Sequence, residues 1–415
     1  MDAQPGAWYH KIPMRLYYIA NLRLPTEKAH GTQIMRMCEA FADAVGRRVF
    51  APVTLVVPFR WRTGAFRGTG NVFAYYGVQK NFRIVRLPSL DLFPLARLFP
   101  FLDRAAFAIQ YGSFLFSCYL FLTICYTLNA KRFCIVYTRD SRIARLALRF
   151  TKHVFLELHT VPKQDDVKAA QGAQGVITVT RGLKNALVDL SIRAQNILVA
   201  PDAVAVRPFS AIMASSTELC KQLHLPLDAK LIGYAGRLKT FEQEKGIPEL
   251  LEAFALLQQV YKDTRLVIVG ADPADADRYM PFLRKHGIAP RVHFTGHVPP
   301  TEVPKYLKSF DILVAPFPKS AHYEIAMSPL KIFEYMAANK PMVVSDLPSL
   351  REVLSEDSAY FFKPGNVQDL MKAMERILAD SAEASRKASH AQKISQEHTW
   401  QQRAKSILEF MDAQI

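Results

Sequence analysis

Two positively charged side chains follow a predicted strand in the second half of the chain. The segment Gly233–Phe254 (GYAGRLKTFEQEKGIPELLEAF) places a strand, a Gly-Arg turn and then a Lys-Gly pair that opens a helix. Arg237 and Lys245 would therefore lie at the carboxyl edge of a sheet, where an Arg fork and a mobile Lys charge suit a diphosphate. Two exposed cations in a loop fit the same spacing, and the residues alone leave both interpretations open.

A second group of polar residues surrounds the start of a later helix. Ser328 precedes Pro329, so we expect Ser328 to be the N-cap and Pro329 the first helical residue. The backbone N–H groups of Leu330 and Lys331 would then face the end of the preceding strand, where phosphate oxygens could bind. Glu334, one turn beyond Lys331, could accept both hydroxyls of a ribose. An intrahelical pair with Lys331 is the alternative.

A histidine and a carboxylate share the end of a strand in the first half. His159 ends the apolar run HVFLELH and begins a loop, and this end of a parallel strand faces the ligand crevice. We expect His159 to be catalytic or to contact the substrate, with Glu157 orienting it from the same strand face. A packed histidine is the alternative. Arg139 and Asp140 close the preceding strand, and either pair with each other or help to shape the site.

Short apolar runs alternate with amphipathic stretches along both halves of the chain. The runs of the second half are apolar rather than alternating, which is typical of parallel strands covered on both faces, and the first half repeats the pattern less cleanly. They are Met14–Ala20, Val53–Pro58, Phe82–Pro88, Phe133–Thr138, His153–His159, Gly175–Thr180 and Asn196–Asp202, then Leu231–Ala235, Arg265–Gly270, Val292–Gly296, Asp311–Pro316 and Pro341–Asp346. This alternation predicts an α/β protein with two doubly wound Rossmann-like domains, residues 1–205 and 206–394. A terminal segment, 395–415, follows, with an amphipathic helix at 395–413.

The positive charge of the chain is distributed unevenly. The net charge is +16, and residues 1–205 hold 27 Lys and Arg against 12 Asp and Glu, whereas the remaining residues hold 26 against 25. This asymmetry predicts an anionic partner for the first half: nucleic acid, anionic lipid or a phosphate-bearing substrate. Because no recognition-module pattern is found, we do not expect nucleic-acid binding. A solvated basic surface would explain a few of these charges.

The cysteines and the N-terminal residues indicate the compartment. The five cysteines form neither a CxxC pair nor an even framework, a usage that favours reduced thiols in a cytosolic protein without a zinc site. The first residues lack the basic, apolar and small-residue order of a signal peptide. Half of the residues are hydrophobic, which is enough to fill two cores.

One segment departs from the strand-and-helix pattern. Ala105–Ala130 is uncharged and is flanked by basic residues at both ends, Arg104 on one side and Lys131 with Arg132 on the other. Its length would allow a membrane crossing. We favour a buried or membrane-surface helix, because a spanning helix before the strand at Phe133–Thr138 would divide one sheet between two sides of a bilayer.

Two neighbouring stretches mix aromatic residues with arginines. They are residues 58–68 (PFRWRTGAFRG) and 92–102 (LFPLARLFPFL), a composition that suits the headgroup layer of an anionic membrane. An ordinary loop whose aromatic side chains anchor it to the core is the alternative.

The motifs of the second half, taken in order, carry a family resemblance. AGRL with KG, FTGHV, DILVAPF and SPLKIFEYMAANKPMVVSDLPSLREV resemble the donor half of glycosyltransferase family 4 enzymes of the two-domain GT-B fold. NLRLPTEKAHGTQIMRMCEAFA, VYTRDSRIARLAL and FLELHT resemble first-domain motifs of that family. The resemblance covers nearly the whole chain. It implies two Rossmann-like domains facing a cleft, with the terminal helix and Trp400 crossing back onto the first domain.

The resemblance also implies a donor site and its residues. It implies a nucleotide-diphospho-sugar donor, retention at the anomeric carbon, and no metal or other cofactor. By position, Arg237 and Lys245 would hold the diphosphate and Glu334 the ribose. The remaining assignments are Gly31 for the phosphates from the opposite domain, His297 and Val298 for the base, His159 near the transferred sugar, and Arg139 and Asp140 on the acceptor side.

The family pattern is incomplete at one position. The family has two Glu residues separated by seven others, the first of which contacts the donor sugar. Here Ala326 stands at the first position, and Glu324 lies two residues too early. The resemblance therefore does not indicate how the transferred sugar is held.

These observations predict a retaining, metal-independent glycosyltransferase of the hexosyltransferase type. We expect a lipid-linked or polysaccharide acceptor and a peripheral location on the inner face of the membrane, bound through the basic first domain. Two alternatives remain open. One is a GT-B sugar-nucleotide epimerase, and the other is a catalytically degenerate, membrane-associated partner of another glycosyltransferase.

Overall fold

The computed structural model describes residues 15–45, 53–61, 70–96, 100–128, 134–240, 243–271 and 273–415. The chain forms two compact units. The first unit contains residues 1–200 and 401–415, and the second unit contains residues 201–400. The terminal helix thus belongs to the first unit. The break in the middle of the chain lies at 200/201, five residues before the boundary expected from the sequence.

The first unit is built on a seven-stranded sheet in the order β3-β2-β1-β4-β5-β6-β7, with all neighbours parallel. Its strands are β1 (Arg15–Ile19), β2 (Val53–Pro58), β3 (Arg83–Leu87), β4 (Cys134–Thr138), β5 (Val154–Leu158), β6 (Gly175–Thr178) and β7 (Ile197–Val199). Its helices are α1 (Ala29–Val45), α2 (Val72–Tyr76), α3 (Phe93–Ala96), α4 (Asp103–Leu128), α5 (Ser141–Ala147), α6 (Gln164–Gly172) and α7 (Arg181–Asp189). The strand order reverses between β1 and β4, where a doubly wound sheet opens its crevice.

The second unit contains a six-stranded parallel sheet in the order β12-β11-β8-β13-β14-β15 and a small antiparallel hairpin, β9-β10. The strands are β8 (Lys230–Ala235), β9 (Lys239–Thr240), β10 (Gln243–Glu244), β11 (Thr264–Val269), β12 (Val292–Phe294), β13 (Ile312–Ala315), β14 (Met342–Ser345) and β15 (Tyr360–Phe362). The helices are α8 (Val206–Ala211), α9 (Ser216–Gln222), α10 (Ile247–Val260), α11 (Pro273–Lys285), α12 (Val303–Ser309), α13 (Leu330–Ala337), α14 (Pro348–Arg351), α15 (Val367–Ala379) and α16 (Ser381–Ser395). α17 (Trp400–Gln414) follows.

The two doubly wound α/β sheets predicted from the sequence are confirmed. Each run named above contains or overlaps a strand, and most of these strands are buried on both faces, which requires apolar side chains at successive positions. The edge strand β15, of three residues, and the β9-β10 hairpin, with two residues in each strand, were not predicted. The helix expected at 395–413 is wrong in its bounds, since α16 ends at Ser395 and α17 begins at Trp400.

The uncharged segment forms α4, which packs along the first unit. Phe114, Cys118 and Leu122, spaced four residues apart, are buried in the same core cluster as the sheet residues Val136 and Leu156. Within the described residues, one helix, Asp103–Thr127, is long and apolar enough to cross a membrane. Its inner face is part of the core, so α4 is an integral element of the first unit.

Candidate functional site

Glycine turns lie side by side at the carboxyl ends of β8, β11 and β12. The Gly236 amide donates to the Val269 carbonyl at 2.9 Å, and the Gly270 amide donates to the Gly296 carbonyl at 3.0 Å. A Cβ on Gly270 would lie 3.5 Å from the backbone of Gly236. No side chain projects from these three turn positions, so a ligand could approach the backbone there.

Gly246 allows the start of α10 to pack against the carboxyl end of β13, the strand beside β8. Its φ is +75°, and an added Cβ would lie 1.6 Å from the carbonyl oxygen of Pro316, which follows β13. Only glycine can occupy this position, for conformational and steric reasons together. The Lys-Gly pair does open the helix, and the β9-β10 hairpin separates it from the Gly236 turn.

Arg237 and Lys245 lie on either side of this hairpin. The Arg237 side chain is exposed, and its backbone carbonyl accepts a hydrogen bond from the Tyr234 hydroxyl at 2.9 Å. The Lys245 amide donates to the Leu238 carbonyl at 2.9 Å. Burial, together with the nearby positive charge of Arg237, lowers the pKa of Lys245 to about 8. Two cations held within reach of each other create a positive potential that an anion would neutralise.

The helix that follows β13 begins one residue later than predicted. Pro329, with φ −84° and ψ 127°, is the N-cap of α13, and Leu330 and Lys331 head the helix. The prediction of Ser328 as N-cap is wrong, because the extended conformation of Pro329 places Ser328 outside the helix. The Ser328 hydroxyl instead accepts a hydrogen bond from the Asp202 amide at 2.8 Å.

Lys331 and Glu334 do not form the intrahelical hydrogen-bonded pair considered above. Lys331 is 9% exposed, and its Nζ lies 3.7 Å from the centroid of the Tyr234 ring. Glu334 is half-buried on the same helix. The Lys331 side chain thus points beneath the β8 turn, towards Gly236, where an added Cβ would lie 3.3 Å from Nζ.

The segment before α13 contains the residue that departs from the family pattern. Residues His322–Ala326 form a single π-helical turn in which Ala326 is buried. The Glu324 carboxylate lies 3.7 Å from the ammonium group of Lys319, whose side chain is 73% exposed. Glu324 therefore pairs with a surface lysine.

The residues expected at the base lie in the loop after β12. His297 is exposed, and Val298 packs against buried core residues of the second unit. Because Gly296 binds Gly270, this loop follows directly from the row of glycine turns. The loop with His297 and Val298 and the turn with Arg237 thus lie at the same edge of the second sheet.

The first unit contains a separate cluster of polar side chains, which surrounds the carboxylate of Glu157 on β5. Glu157 is fully buried, and its Oε1 accepts hydrogen bonds from Gln33 Nε2 and Arg403 Nη2, each at 2.8 Å. His159 Nε2 contacts the same oxygen, and the Tyr137 hydroxyl donates to the other. Both carboxylate oxygens are satisfied, as a buried charge requires.

These contacts determine the protonation states of Glu157 and His159. Burial alone would raise the pKa of Glu157, but the guanidinium group of Arg403, the hydrogen bond with His159 and the charge of Arg139 hold it well below its usual value. Burial and the charge of Arg139 lower the pKa of His159 to about 4. His159 is therefore neutral at neutral pH, with its Nε2 proton directed at the carboxylate. Nδ1 is left as the hydrogen-bond acceptor of the ring.

Arg139 and Asp140 each have another partner. Arg139 donates to the side-chain oxygen of Gln33, whereas Asp140 is the N-cap of α5 and accepts from the Arg142 and Ile143 amides at 3.0 and 3.1 Å. The hydroxyl of Tyr111 on α4 also donates to Asp140. Arg139 thus belongs to the Glu157 cluster, and Asp140 joins α4 to α5.

Gly31 lies in the first turn of α1, where it is buried. An added Cβ would lie 2.6 Å from the Tyr76 hydroxyl and 2.6 Å from the Thr26 side chain. The same Tyr76 hydroxyl binds the Thr26 backbone, accepting at 2.8 Å and donating at 3.0 Å. Close packing within the first unit therefore requires glycine here.

The sequence reasoning missed Gln33, Tyr137 and Arg403 as members of the Glu157 cluster. A signal for Arg403 was present, because it lies on the buried stripe of α17 that includes Trp400, Ala404 and Ile407. A single charged residue on an apolar helix face indicates a buried partner. Gln33 is likewise a polar residue on the buried face of α1.

Comparison with known proteins agrees with this architecture. Residues 229–380 match the family "Glycosyl transferases group 1". The chain is 29% identical over 217 residues to 2-deoxystreptamine glucosyltransferase of Streptomyces kanamyceticus, covering 52% of this chain and 54% of that protein. It is 28% identical over 188 residues to phosphatidyl-myo-inositol mannosyltransferase of Mycobacterium tuberculosis, covering 45% and 47%. The chain thus spans about half the length of the curated relatives it matches.

A solved structure resembles nearly the whole chain. Anabaena HepE in complex with UDP aligns with a TM-score of 0.67 and 15% identity, covering 96% of this chain and 100% of that one. At this identity the likeness shows the fold alone. The two Rossmann-like units have the GT-B fold, and the second unit carries a domain similar to the group 1 glycosyl transferases.

Proposed function

We propose that this protein is a glycosyltransferase that takes a sugar from a nucleotide-diphospho-sugar donor. The observation that carries the proposal is the pair of cations Arg237 and Lys245, beside the glycine turns at the carboxyl edge of the second sheet. This edge lies within the part of the chain that matches the glycosyl transferase family. A diphosphate suits it, because it carries charge opposite to that of the two side chains and needs close approach to the backbone.

The reaction follows from where the charge develops. As the bond between the anomeric carbon and the diphosphate breaks, its electron pair stays on the diphosphate, and Arg237 and Lys245 stabilise the growing negative charge. The acceptor hydroxyl oxygen forms the new bond to the anomeric carbon, and its proton passes to a phosphate oxygen. Attack from the same face as the leaving group would retain the anomeric configuration, and it needs no strong protein base.

Metal independence and transfer of a hexose are parts of the same proposal. The side chains of Arg237 and Lys245 supply positive charge that a divalent cation supplies in other phosphate sites. The backbone N–H groups of Leu330 and Lys331 head α13 and add their partial charges. Glu334 on the same helix is proposed to hold the ribose.

The acceptor is proposed to be a lipid-linked sugar or a growing polysaccharide at the inner face of the membrane, where the protein is bound peripherally through its first unit. The supporting observation is the outer face of α4, where Phe107, Phe116 and Ile124 are 51%, 63% and 55% exposed. Exposed apolar side chains along a helix that carries no charge beyond its first two residues suit the headgroup and acyl boundary of a bilayer. One relative is named a phosphatidyl-myo-inositol mannosyltransferase, which acts on a lipid by that name.

Two exposed basic side chains on and beside α4 are the reason why we assign this surface to an anionic membrane. Arg104 lies in the first turn of α4 next to the exposed Asp103, and the guanidinium of the exposed Arg142, on α5, lies 5.4 Å from the ring centroid of Tyr111, a buried residue of α4. Charge and apolar area together bind such helices to anionic lipid. Of the two aromatic and arginine stretches named above, residues 62–69 and 97–99 lie outside the described residues, as do Lys131 and Arg132.

A nucleotide screen tests the donor assignment. We expect UDP, GDP or ADP, or one of their sugar conjugates, to raise the melting temperature, because a ligand that binds the folded state stabilises it by mass action. Sugar transfer to a lipid-linked or polysaccharide acceptor would complete the test. Release of an altered nucleotide sugar without acceptor would instead indicate an epimerase. Donor binding without turnover on any acceptor would indicate a degenerate partner of another enzyme.

A further inference from the structure

The side-chain nitrogen of Lys331 is buried without a hydrogen-bond partner among the residues that the structure describes. Its nearest aromatic neighbours are the rings of Tyr234, at 3.7 Å, and Phe317, at 5.3 Å from Nζ to the ring centroid. A buried amine that lacks an acceptor destabilises a folded protein, since the group loses its hydration. Such a group therefore needs an explanation beyond packing.

Lys331 lies directly behind the turn that carries Arg237. Gly236 has φ +124°, and a Cβ there would lie 3.3 Å from Lys331 Nζ and 3.4 Å from its Cε. Because Gly236 has no side chain, the end of the Lys331 side chain lies close to the backbone of the turn. A charge placed there acts on a bound anion through a short, poorly solvated path.

The charged and titratable groups around Lys331 leave an excess of positive charge. The Lys245 charge lowers the pKa of both Lys331 and His322, in each case in addition to burial. The Glu334 carboxylate, on the same helix, has the opposite effect and raises the pKa of Lys331. Tyr234, Tyr323 and Tyr335 on the packed elements supply no negative charge at neutral pH. The two other carboxylates on these elements already have cationic partners: Glu244 pairs with Arg278 at 3.0 Å, and Glu324 pairs with Lys319 at 3.7 Å.

We propose that Lys331 is a third cation of the donor site, which takes up a proton from solvent when a nucleotide diphosphate binds on the other side of the Gly236 turn. The inference rests on the proposed function and names a new residue for the same site. Lys331 acts as a positioning residue through the field it adds behind the turn, and we assign it no contact with the reacting atoms.

The direction of the proton change follows from the surroundings. Without ligand, burial and the charge of Lys245 hold the pKa of Lys331 well below its usual value. A diphosphate adds negative charge next to Lys331 and Lys245, which favours the protonated form of both. Binding must then be coupled to proton uptake, and by linkage it must be tighter where both amines are already protonated.

Titration calorimetry with UDP measures this coupling, with GDP and ADP as parallel probes. Binding to the full chain is measured at pH 8 in two buffers that differ in ionisation enthalpy, and the difference gives the number of protons taken up. We expect Lys331→Met to lower the uptake by up to about one proton per nucleotide and to weaken binding roughly tenfold. Lys372→Met, at an exposed position on α15, is the matched control and should leave both unchanged.

A melting measurement separates this role from a structural one. Because Lys331→Met removes an unpartnered buried amine, we expect the ligand-free variant to melt at the same or a higher temperature, while its UDP-induced rise is smaller. If Lys331→Met does not fold, Lys331→Gln, which keeps a polar group at the buried position, is measured in its place, and we expect the same fall in proton uptake and in UDP affinity. Unchanged proton uptake in that variant contradicts the inference.

The possible failures are distinguishable. Unchanged UDP affinity and proton uptake in Lys331→Met would contradict the inference and leave the proposed function intact, provided that the unaltered protein binds the nucleotide. Binding of none of the three nucleoside diphosphates by the unaltered protein would contradict the proposed function itself, and the inference with it.

Discussion

Arg403, on the last helix, donates a hydrogen bond to Glu157, on the fifth strand, at 2.8 Å, and both side chains are at most 5% exposed. The two residues are 246 positions apart in the chain. Their ion pair fastens residues 401–415 to the sheet of the first unit and forms part of the polar cluster that includes His159. The ion pair therefore links the stability of the first unit to the protonation of His159, a predicted site residue.

Removal of Arg403 is expected to destabilise the first unit. Arg403→Met leaves the Glu157 charge buried without its main partner, a change that costs about 3–5 kcal/mol in similar cases. Urea unfolding monitored by circular dichroism measures the loss. Lys405→Ala breaks the exposed pair with Glu409 on the same helix and should change stability by less than about 1 kcal/mol. Equal effects of the two substitutions would contradict the role assigned to Arg403.

Stability should depend on pH through His159. Its pKa is about 4 in the folded protein and close to 6.5 when unfolded, so the unfolded chain binds the extra proton between these values. The contribution is fully present above pH 6.5 and is lost as the pH falls towards 4. We expect His159→Gln, which can still donate to Glu157, to flatten the stability profile in that window. His390→Gln, at an exposed position on α16, should leave the profile unchanged.

The Glu157 carboxylate adds a second acid-dependent contribution. Its folded pKa is lowered, so the stability it supplies is present above its unfolded value near 4.5 and disappears as the pH falls through the folded value. Glu157→Gln should therefore lower stability at pH 7 and make the remaining acid unfolding shallower below pH 4.5. Equilibrium denaturation at a series of pH values tests this. An unchanged acid slope would show that another group dominates it.

Arg237→Ala and Lys245→Ala should each reduce sugar transfer about 10²- to 10³-fold, because each removes positive charge where the leaving diphosphate develops negative charge. The measurement is release of nucleoside diphosphate in the presence of acceptor. Lys230→Ala is the control, since Lys230 begins β8 at the opposite end of the same strand and pairs with Asp311 at 3.3 Å. Near-normal turnover in either Arg237→Ala or Lys245→Ala would remove that residue from the proposed site.

Membrane binding should depend on the outer face of α4. We expect Phe116→Asp combined with Ile124→Asp to lower partitioning onto vesicles of anionic phosphatidylglycerol by about tenfold or more, because both side chains are exposed and apolar. Flotation at low salt measures the bound fraction. Val260→Asp, at an exposed apolar residue of the second unit, is the control. Failure of the unaltered protein to float with these vesicles would contradict the membrane proposal.

Much of the fold and part of the candidate site could be read from local patterns. Parallel strands covered on both faces need continuous apolar runs, so the strands of both sheets are visible in the sequence as short apolar segments. Gly246 and the cations beside it were visible as well, because a strand followed by a turn and a Lys-Gly pair has a local physical meaning. Ser328 was misplaced because the conformation of the following proline decides where that helix begins.

The sequence by itself therefore determined the α/β class, the two sheets and the position of the cation-bearing turn. Only the tertiary structure decided the partners of the charged side chains. Glu157 finds Arg403 across the chain, and Lys331 turns beneath Gly236 although Glu334 lies one helical turn away. The physical reason is that strand and helix patterns repeat over a few residues, whereas the direction and environment of a long charged side chain depend on elements distant in sequence.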